Sequence, residues 1–190
     1  SSVPPSAPKL PPQPPASPRH PPQPPQPAPA RPRPMVYRVC KSFEVESGHM
    51  LSKHPGLCRY PHGHSRRVDV VLSADTLDDR DMVCDFKALK LALKPWLDQW
   101  DHAMAVNSAD PSLPALRQHP RLAERLVTFQ NEDPTTEAMA RVIFQYLAQE
   151  IAAGKTYRDQ HGSTYTFPPN VKLERVRVTE TSSSWAEYGL

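Results

Sequence analysis

The chain has 190 residues and a formal net charge of +3, from 23 Lys and Arg against 20 Asp and Glu. Four of the basic residues and none of the acidic ones lie in residues 1–34, so residues 35–190 carry a net charge of −1. That balance predicts no basic face for nucleic acid. The sequence has no secretion signal, no apolar run near the roughly 18 residues of a membrane helix, and too few cysteines for a disulfide framework. We therefore expect a cytoplasmic protein that binds neither nucleic acid nor a membrane.

The amino-terminal segment is rich in proline. Residues 1–34 hold 16 of the 25 prolines and no aromatic residue, so they cannot bury a core and are expected to be extended or disordered. Their PxxP segments are of the kind that SH3-like domains bind. An inert linker, or translated sequence upstream of a start at Met35, is the favoured interpretation. Residues 35–190 have the usual length of one domain with its own core.

A strand is predicted at the start of this domain. Its first face carries Tyr37, Val39, Phe43 and Val45. His49 continues the same parity if the extended conformation persists. The apolar run Val68–Leu72, just after His64, predicts a second strand beside the first in an antiparallel sheet.

Two helices are predicted, each with a start signal. Asp85 can cap the first, and Pro95 should kink or shorten it. Its apolar residues recur at helical spacing and are Phe86, Leu89, Leu93, Trp96, Leu97 and Trp100. Asp133 followed by Pro134 predicts the start of the second, with aspartate as the cap and proline in the first turn. Its apolar stripe consists of Met139, Val142, Ile143, Tyr146, Leu147 and Ile151.

A further strand is predicted within residues 171–180. Its apolar parity changes between Leu173 and Val176, which predicts a bulge or a late strand start. Residues 165–167 are a weaker strand candidate, and residues 107–131 receive no assignment. The predicted order is β-β-α-α-β with one further strand, an α+β arrangement.

The pair His62 and His64, separated by Gly63, carries the strongest chemical signal. Residues i and i+2 of a strand point to the same side, so the two imidazoles face one point and the glycine adds no bulk. A His-x-His pair alone is more often a surface or turn feature. His49 from the neighbouring strand can supply a third nitrogen, however. Three neutral histidines leave a fourth tetrahedral position open, as catalytic zinc sites do.

The three cysteines differ in their surroundings. Cys58 lies four residues before His62 and next to Arg59, conditions that favour a thiolate. Cys40 lies in the first predicted strand and Cys84 just before the first helix, so both are expected to be packing residues.

Several motifs together resemble the 6-pyruvoyl-tetrahydropterin synthase superfamily, over residues 36–188. They are Phe43–His49, Cys58–Ser65, Val83–Phe86, Asp101–His102, Pro134–Glu137 and Val178–Thr181. The Cys-x-x-x-His-Gly-His spacing is most like the bacterial 6-carboxy-tetrahydropterin synthase branch, which works in 7-deazaguanine (queuosine) precursor synthesis. Its fold is the tunnelling fold (T-fold), an antiparallel sheet with two helices on one face. Its subunits close into a barrel, so the resemblance implies a homohexamer built as a dimer of trimers.

The resemblance also implies a role for each site residue. His49, His62 and His64 would hold Zn²⁺. Cys58 would act as the base, with Asp101 and His102 as the proton relay. Glu180 would anchor the pterin, because a carboxylate can accept two adjacent N–H donors. From pattern alone, Glu180 can equally be a solvated strand end, and Asp101–His102 a polar surface pair.

Other positions have weaker or altered signals. Thr135 and Thr136 are candidate substrate contacts, or first-turn helix residues that satisfy local amides. Ala138 stands where the family often has asparagine. Arg66 and Arg67 depart from the more apolar residues expected there. Contact with a triphosphate is one interpretation of these two arginines, and a solvated strand face is the one we predict.

The resemblance implies a zinc-dependent lyase that converts 7,8-dihydroneopterin triphosphate to 6-carboxy-tetrahydropterin, acetaldehyde and triphosphate. A 6-pyruvoyl-tetrahydropterin synthase or a related dihydropterin side-chain lyase is the nearest alternative. Two alternatives come from other classes: a non-catalytic zinc-binding scaffold, and a zinc hydrolase, since three histidines and an open position also suit water activation.

Overall fold

A long antiparallel strand pair forms the centre of the sheet. In the computed structural model, which describes residues 36–190, β1 (Tyr37–His49) pairs with β2 (His62–Ala74) along its whole length. The register runs from Tyr37 opposite Ala74 to His49 opposite His62. The parity prediction for β1 is confirmed in its second half, where Phe43, Val45 and His49 are buried. The predictions for residues 1–34 lie outside the described residues.

Four more strands complete this sheet, in the order β4-β3-β1-β2-β7-β8. They are β3 (Ala103–Asn107), β4 (Leu126–Phe129), β7 (Lys172–Thr179) and β8 (Trp185–Gly189). β7 and β8 continue the antiparallel pattern beyond β2, but β3 and β4 are parallel to their neighbours. The sheet is therefore mixed. β5 (Tyr157–Arg158) and β6 (Thr164–Tyr165) form a separate hairpin at the weaker strand candidate.

The predicted bulge in β7 is present. Val71 pairs with Arg175 and Leu72 with Leu173, so Glu174 is the extra residue on this strand. The bulge restores the parity that places Leu173, Val176 and Val178 in the core.

Two helices, α1 (Phe86–Leu97) and α3 (Thr136–Ala152), share one core with the sheet. The centre of that core is fully buried and includes Leu72, Leu89, Leu93, Met139, Ile143, Leu147 and Val176. Each such side chain contributes about 1.5–3 kcal/mol by leaving water. A short helix, α2 (Leu113–Gln118), packs in a smaller cluster with Met50 and Val106. The fold is α+β, and no helix in the described residues is long and apolar enough to cross a membrane.

The start of α1 is as predicted. The Asp85 carboxylate accepts a hydrogen bond from the Lys87 amide at 2.8 Å, and the helix ends two residues after Pro95. The predicted cap of α3 is wrong. Thr135 is the cap, accepting from the Ala138 amide at 3.2 Å.

Asp133 instead joins three separate segments. Its carboxylate accepts from the Ser52 hydroxyl at 2.6 Å, the Lys53 amide at 2.7 Å and the Asn107 side chain at 2.8 Å. These donors hold the end of β3 and the loop after β1 against the start of α3.

Of the two cysteines predicted to be packing residues, one is buried and the other is exposed. Cys84 is buried, and burial raises its pKa to about 12. Cys40 is exposed on β1, so its prediction as a packing residue is wrong for the single chain. Its parity on β1 differs from that of Val39 and Phe43, so its side chain lies on the face of the strand opposite the core.

Candidate metal centre and active site

The three predicted histidines converge. The β1–β2 register sets His49 opposite His62, and His64 lies two residues further along β2 on the same side. The ring centroids are 4.5 Å apart for His49 and His62, 5.2 Å for His49 and His64, and 5.1 Å for His62 and His64. One ligand nitrogen from each lies within 4.8 Å of the others. The backbone is close here as well, because a Cβ on Gly63 would lie 3.4 Å from the Ser47 carbonyl oxygen.

Backbone carbonyls set which ring nitrogen is free. The Nδ1 atom of His49 is 2.8 Å from the Pro134 carbonyl, and that of His62 is 2.8 Å from the Tyr60 carbonyl. Since a carbonyl only accepts, each Nδ1 carries the proton and each Nε2 presents a lone pair. These two Nε2 atoms face each other at 3.0 Å.

The Nε2 atom of His64 lacks a donor in the described part of the chain. His64 Nε2 is buried and has no hydrogen-bond partner among the described residues. Facing lone pairs and an orphaned buried nitrogen are unfavourable without a cation between them. The donor set therefore fits a divalent metal ion held by three neutral imidazoles.

The electrostatics favour the neutral form of His49 and His64. Burial lowers the pKa of His49 to about 4 from its ordinary 6.5; the Pro134 hydrogen bond opposes this, and the Arg66 charge adds to it. Burial also lowers the pKa of His64, and the Arg66 charge contributes again. Because a metal binds the neutral imidazole, the site is ready for a cation at neutral pH.

Arg66 lies inside the protein, beside the histidines. Its side chain is 2% exposed, so the predicted solvated position is wrong; Arg67, 58% exposed and paired with Asp69, does lie on the solvated face. The signal was present in the sequence. The parity that aligns His62 with His64 also puts Arg66 on their side of β2.

Glu180, just after β7, lies beside the histidines. Its Oε1 atom is 3.7 Å from His49 Nε2, 3.6 Å from His64 Nε2 and 3.9 Å from Arg66 Nη2. The carboxylate is one-third exposed, so it borders both the histidine cluster and solvent. Its predicted contact with a pterin stays a prediction.

Asp101 and His102 form a pair in the turn before β3. Asp101 Oδ2 is 2.8 Å from His102 Nδ1, and Asp101 Oδ1 accepts from the Glu46 amide at 2.9 Å. The Glu46 hydrogen bond, followed by that of His102, lowers the pKa of Asp101. The His102 ring is 75% exposed, and its φ of 54° is unusual for a residue other than glycine.

Cys58 lies in a short 3₁₀ turn, Leu57–Arg59, and is partly buried. Its carbonyl accepts from the Leu51 amide at 3.0 Å, which ties the turn to the end of β1 next to His49. The Arg59 guanidinium donates to the Tyr60 hydroxyl at 2.9 Å. Within residues 36–190, no hydrogen bond joins Cys58 to His102.

The first turn of α3 borders the cluster. Thr135 caps the helix, so its hydroxyl satisfies a local amide, which was the alternative role. Thr136 is buried, and its hydroxyl accepts from Arg66 Nη1 at 3.0 Å. Contact of either threonine with substrate stays a prediction.

Together, the mixed sheet, the two covering helices and the three histidines define an α+β protein with a candidate metal centre at one end of its central strands. The family model described as 6-pyruvoyl tetrahydropterin synthase matches residues 38–189. The chain belongs to this family, as the motifs predicted, and its fold is the tunnelling fold.

Curated relatives point to one branch of the family. The chain is similar to proteins named 6-carboxy-5,6,7,8-tetrahydropterin synthase. The one from Aquifex aeolicus is 28% identical over 81% of this chain and 98% of the relative. The one from Synechocystis is 31% identical over 79% of this chain and 91% of the relative.

Solved structures show the same fold. An uncharacterised protein of Wolinella succinogenes has a TM-score of 0.65 at 24% identity, covering 82% of this chain and 98% of its own. The 6-pyruvoyl tetrahydropterin synthase of Caenorhabditis elegans has a TM-score of 0.54 at 19% identity, covering 83% of this chain and 98% of its own. At these identities the likeness extends to the fold alone.

Proposed function

We propose that this protein is a zinc-dependent lyase that converts 7,8-dihydroneopterin triphosphate and water to 6-carboxy-tetrahydropterin, acetaldehyde and triphosphate, in 7-deazaguanine (queuosine) precursor synthesis. The observation that carries the proposal is the convergence of one ring nitrogen each from His49, His62 and His64 in a chain whose curated relatives bear the 6-carboxy-tetrahydropterin synthase name. Three free cysteines and no disulfide suit a reducing cytoplasm.

His49, His62 and His64 would hold the zinc. Zinc bound there supplies a Lewis acid that makes the substrate's side-chain hydroxyls more acidic. The carbonyls of Pro134 and Tyr60 fix two of the rings, so the ligand nitrogens are oriented before the metal arrives.

Proton transfer is assigned to Cys58 and to the Asp101–His102 pair. Cys58, as thiolate, takes a proton from the substrate side chain, and His102 returns one. Asp101 orients the His102 ring through the 2.8 Å contact and stabilises its charged form. An imidazole suits this exchange because it gains and loses protons near neutral pH.

We propose that the working unit is a homohexamer, a dimer of trimers. Within one chain Cys58 and His102 are not hydrogen-bonded, and the exposed His102 ring is free to serve a site on a neighbouring subunit. β4 and β8 are the sheet edges, and β8 exposes Trp185 and Tyr188. Pairing of edges between subunits would cover both features.

Glu180 is the proposed pterin anchor, with Thr135 and Thr136 at the border of the same space. A carboxylate can accept two N–H donors from the amino-pyrimidinone edge of a pterin. Because Glu180 lies beside His49 and His64, a pterin held by Glu180 would have its side chain close to the metal.

The test is product analysis with zinc-loaded protein and 7,8-dihydroneopterin triphosphate. Acetaldehyde and carboxy-pterin, detected by mass spectrometry and lost after chelation, support the proposal. Retention of the three-carbon side chain indicates the pyruvoyl reaction instead. Neither product and no pterin binding would leave a zinc scaffold or hydrolase.

Two cysteine variants test the assignment of the base. Cys58→Ala should abolish product formation while one zinc per chain remains bound. Cys40→Ala changes an exposed cysteine in the outer half of β1 and should leave turnover unchanged. Full activity of Cys58→Ala would remove this residue from the mechanism.

A further inference from the structure

We propose that Arg66 binds a small oxyanion of the ligand, an alkoxide or a carboxylate, in the space bounded by His49, His64 and Glu180. This inference depends on one part of the proposed function, namely that the three histidines hold a divalent metal. It adds a residue that selects ligands by charge at that centre.

The first support is a buried charge with incomplete pairing. The Arg66 side chain is 2% exposed and keeps its positive charge at any physiological pH. Two neutral hydroxyls contact it, Ser47 Oγ at 3.2 Å from Nε and Thr136 Oγ1 at 3.0 Å from Nη1. Among the described residues its one acidic neighbour is Glu180, at 3.9 Å, beyond hydrogen-bond distance.

The second support is the direction of the remaining nitrogen. Nη2 is 3.3 Å from His49 Nε2 and 3.4 Å from His49 Nδ1. The in-plane lone pair of Nε2 is the one that a metal ion would take. The Nδ1 atom already donates its proton to Pro134. With the Nε2 lone pair taken, the N–H groups of Nη2 have no acceptor on His49, which is costly for a buried charged donor.

The third support is the local balance of charge. A divalent cation held by the histidines would add a second positive charge close to the Arg66 guanidinium, whose Nη2 is 3.3 Å from His49 Nε2. Among the described residues the Glu180 carboxylate is the nearest negative charge to both. Two cations in a buried site repel each other, and an anionic ligand atom beside both relieves that repulsion. The spare donors of Nη2 are placed to hydrogen-bond such an atom.

A purely structural role explains less. Ser47 and Thr136 occupy Nε and one N–H of Nη1, and these contacts join β1, β2 and α3. These hydrogen bonds do not require the positive charge of the arginine. A neutral amide side chain could make similar hydrogen bonds without that charge. The two roles therefore differ in what a neutral substitution does to anion binding.

The experiment measures anion binding at the metal. Cobalt replaces zinc, and the change in its visible absorption on addition of azide gives the azide dissociation constant. Arg66→Met should weaken azide binding by about tenfold or more, because it removes a charge-assisted donor beside the site. Arg67→Met is the matched control: it removes the same charge from the next residue, on the exposed face, and should match the wild type.

A second readout separates this effect from damage to the site. Cobalt affinity without azide should be unchanged or tighter in Arg66→Met, since a positive charge beside the metal has been removed. Arg66→Gln keeps hydrogen-bonding capacity toward Ser47 and Thr136 but not the charge. It should weaken azide binding like Arg66→Met, and it decides the question if circular dichroism shows that Arg66→Met is unfolded.

The outcomes are distinct. Equal azide affinity in the wild type and in the folded Arg66 variants overturns the inference, while cobalt binding in all of them leaves the proposed function standing. If cobalt does not bind even the wild type, the metal centre is wrong and the inference falls with it. The inference is supported if the Arg66 variants bind azide more weakly than the wild type and Arg67→Met do, while their affinity for cobalt is unchanged or tighter.

Discussion

The metal-free protein should lose stability as the pH falls from about 7 to about 5, and His49 should account for most of the loss. His49 is fully buried, and its pKa is about 4 in the folded chain against an ordinary 6.5. Below pH 6.5 the unfolded chain therefore takes up a proton that the folded chain does not. A lowered histidine pKa thus stabilises the fold above 6.5, and this contribution is lost as the pH falls through 6.5 towards 4.

The magnitude follows from these two values. Linkage between protonation and folding gives a loss of about 2 kcal/mol in the free energy of unfolding between about pH 7 and pH 5. His64, whose pKa is lowered in the same direction, adds to it. Carboxylates such as Asp101 and Asp133 have pKa values below their ordinary 3.8, so their contribution is lost only at lower pH.

Urea unfolding of the chelator-treated protein, followed by circular dichroism, measures this loss at each pH. His49→Gln should flatten the dependence, because the glutamine does not titrate and can still donate to the Pro134 carbonyl. His161→Gln changes an exposed histidine and should keep the wild-type slope. A wild-type stability that stays constant over this range, or an unchanged slope in His49→Gln, would refute the reasoning.

Three further substitutions test the fold around the site. Asp133→Ala should lower the free energy of unfolding by about 2–4 kcal/mol, because it removes the 2.8 Å acceptor of the buried Asn107 amide and leaves that amide only a 3.4 Å contact with Ser52. Asp98→Ala, at an exposed position, should change this free energy by about 0.5 kcal/mol or less in the same urea titration. Met139→Ala removes a fully buried side chain and should cost about 2–5 kcal/mol; a smaller loss would mean that the core collapses around the cavity. Gly189→Ala should lower the melting temperature, since its Cβ would lie 2.2 Å from the Glu174 carbonyl oxygen, and an unchanged melting curve would contradict the β7–β8 register.

Local patterns predicted the part of the fold that holds the metal centre. Alternation along β1 and the His-x-His pair in β2 need only the two-residue period of a strand, and the observed register places His49 opposite His62. The β7 bulge was also visible, because a change of parity is a local property of the chain. Each of these signals depends on neighbours a few residues away.

The missed strands lack such a signal. In β3 four of five residues are buried, so the segment does not alternate, and a short apolar run does not distinguish a strand from a buried helix. Its partners are parallel, and parallel pairing leaves no hairpin signal in the sequence. β8 is short and largely exposed, and its position depends on pairing with β7.

The cap of α3 shows a local rule overridden by tertiary contacts. An aspartate before a proline is a good helix start, yet Ser52, Lys53 and Asn107 offer the Asp133 carboxylate three donors from distant parts of the chain. These donors occupy the carboxylate, and the helix begins later with Thr135 as its cap. The later start places Thr136 where its hydroxyl meets Arg66, so the same displacement shapes the metal centre.

His102 has an unusual backbone conformation that hydrogen bonds to β1 hold in place. Its φ of 54° is an unfavourable conformation, and Glu46 holds it there: the Glu46 carbonyl accepts from the His102 amide at 2.6 Å, while the Glu46 amide donates to Asp101. Two backbone contacts to β1 thus fix an imidazole that, among the described residues, has no hydrogen bond to Cys58. A strained conformation kept by specific hydrogen bonds at an exposed position is poorly explained by the folding of one chain. It is explained if, in the proposed hexamer, this ring completes an active site whose cysteine belongs to another subunit.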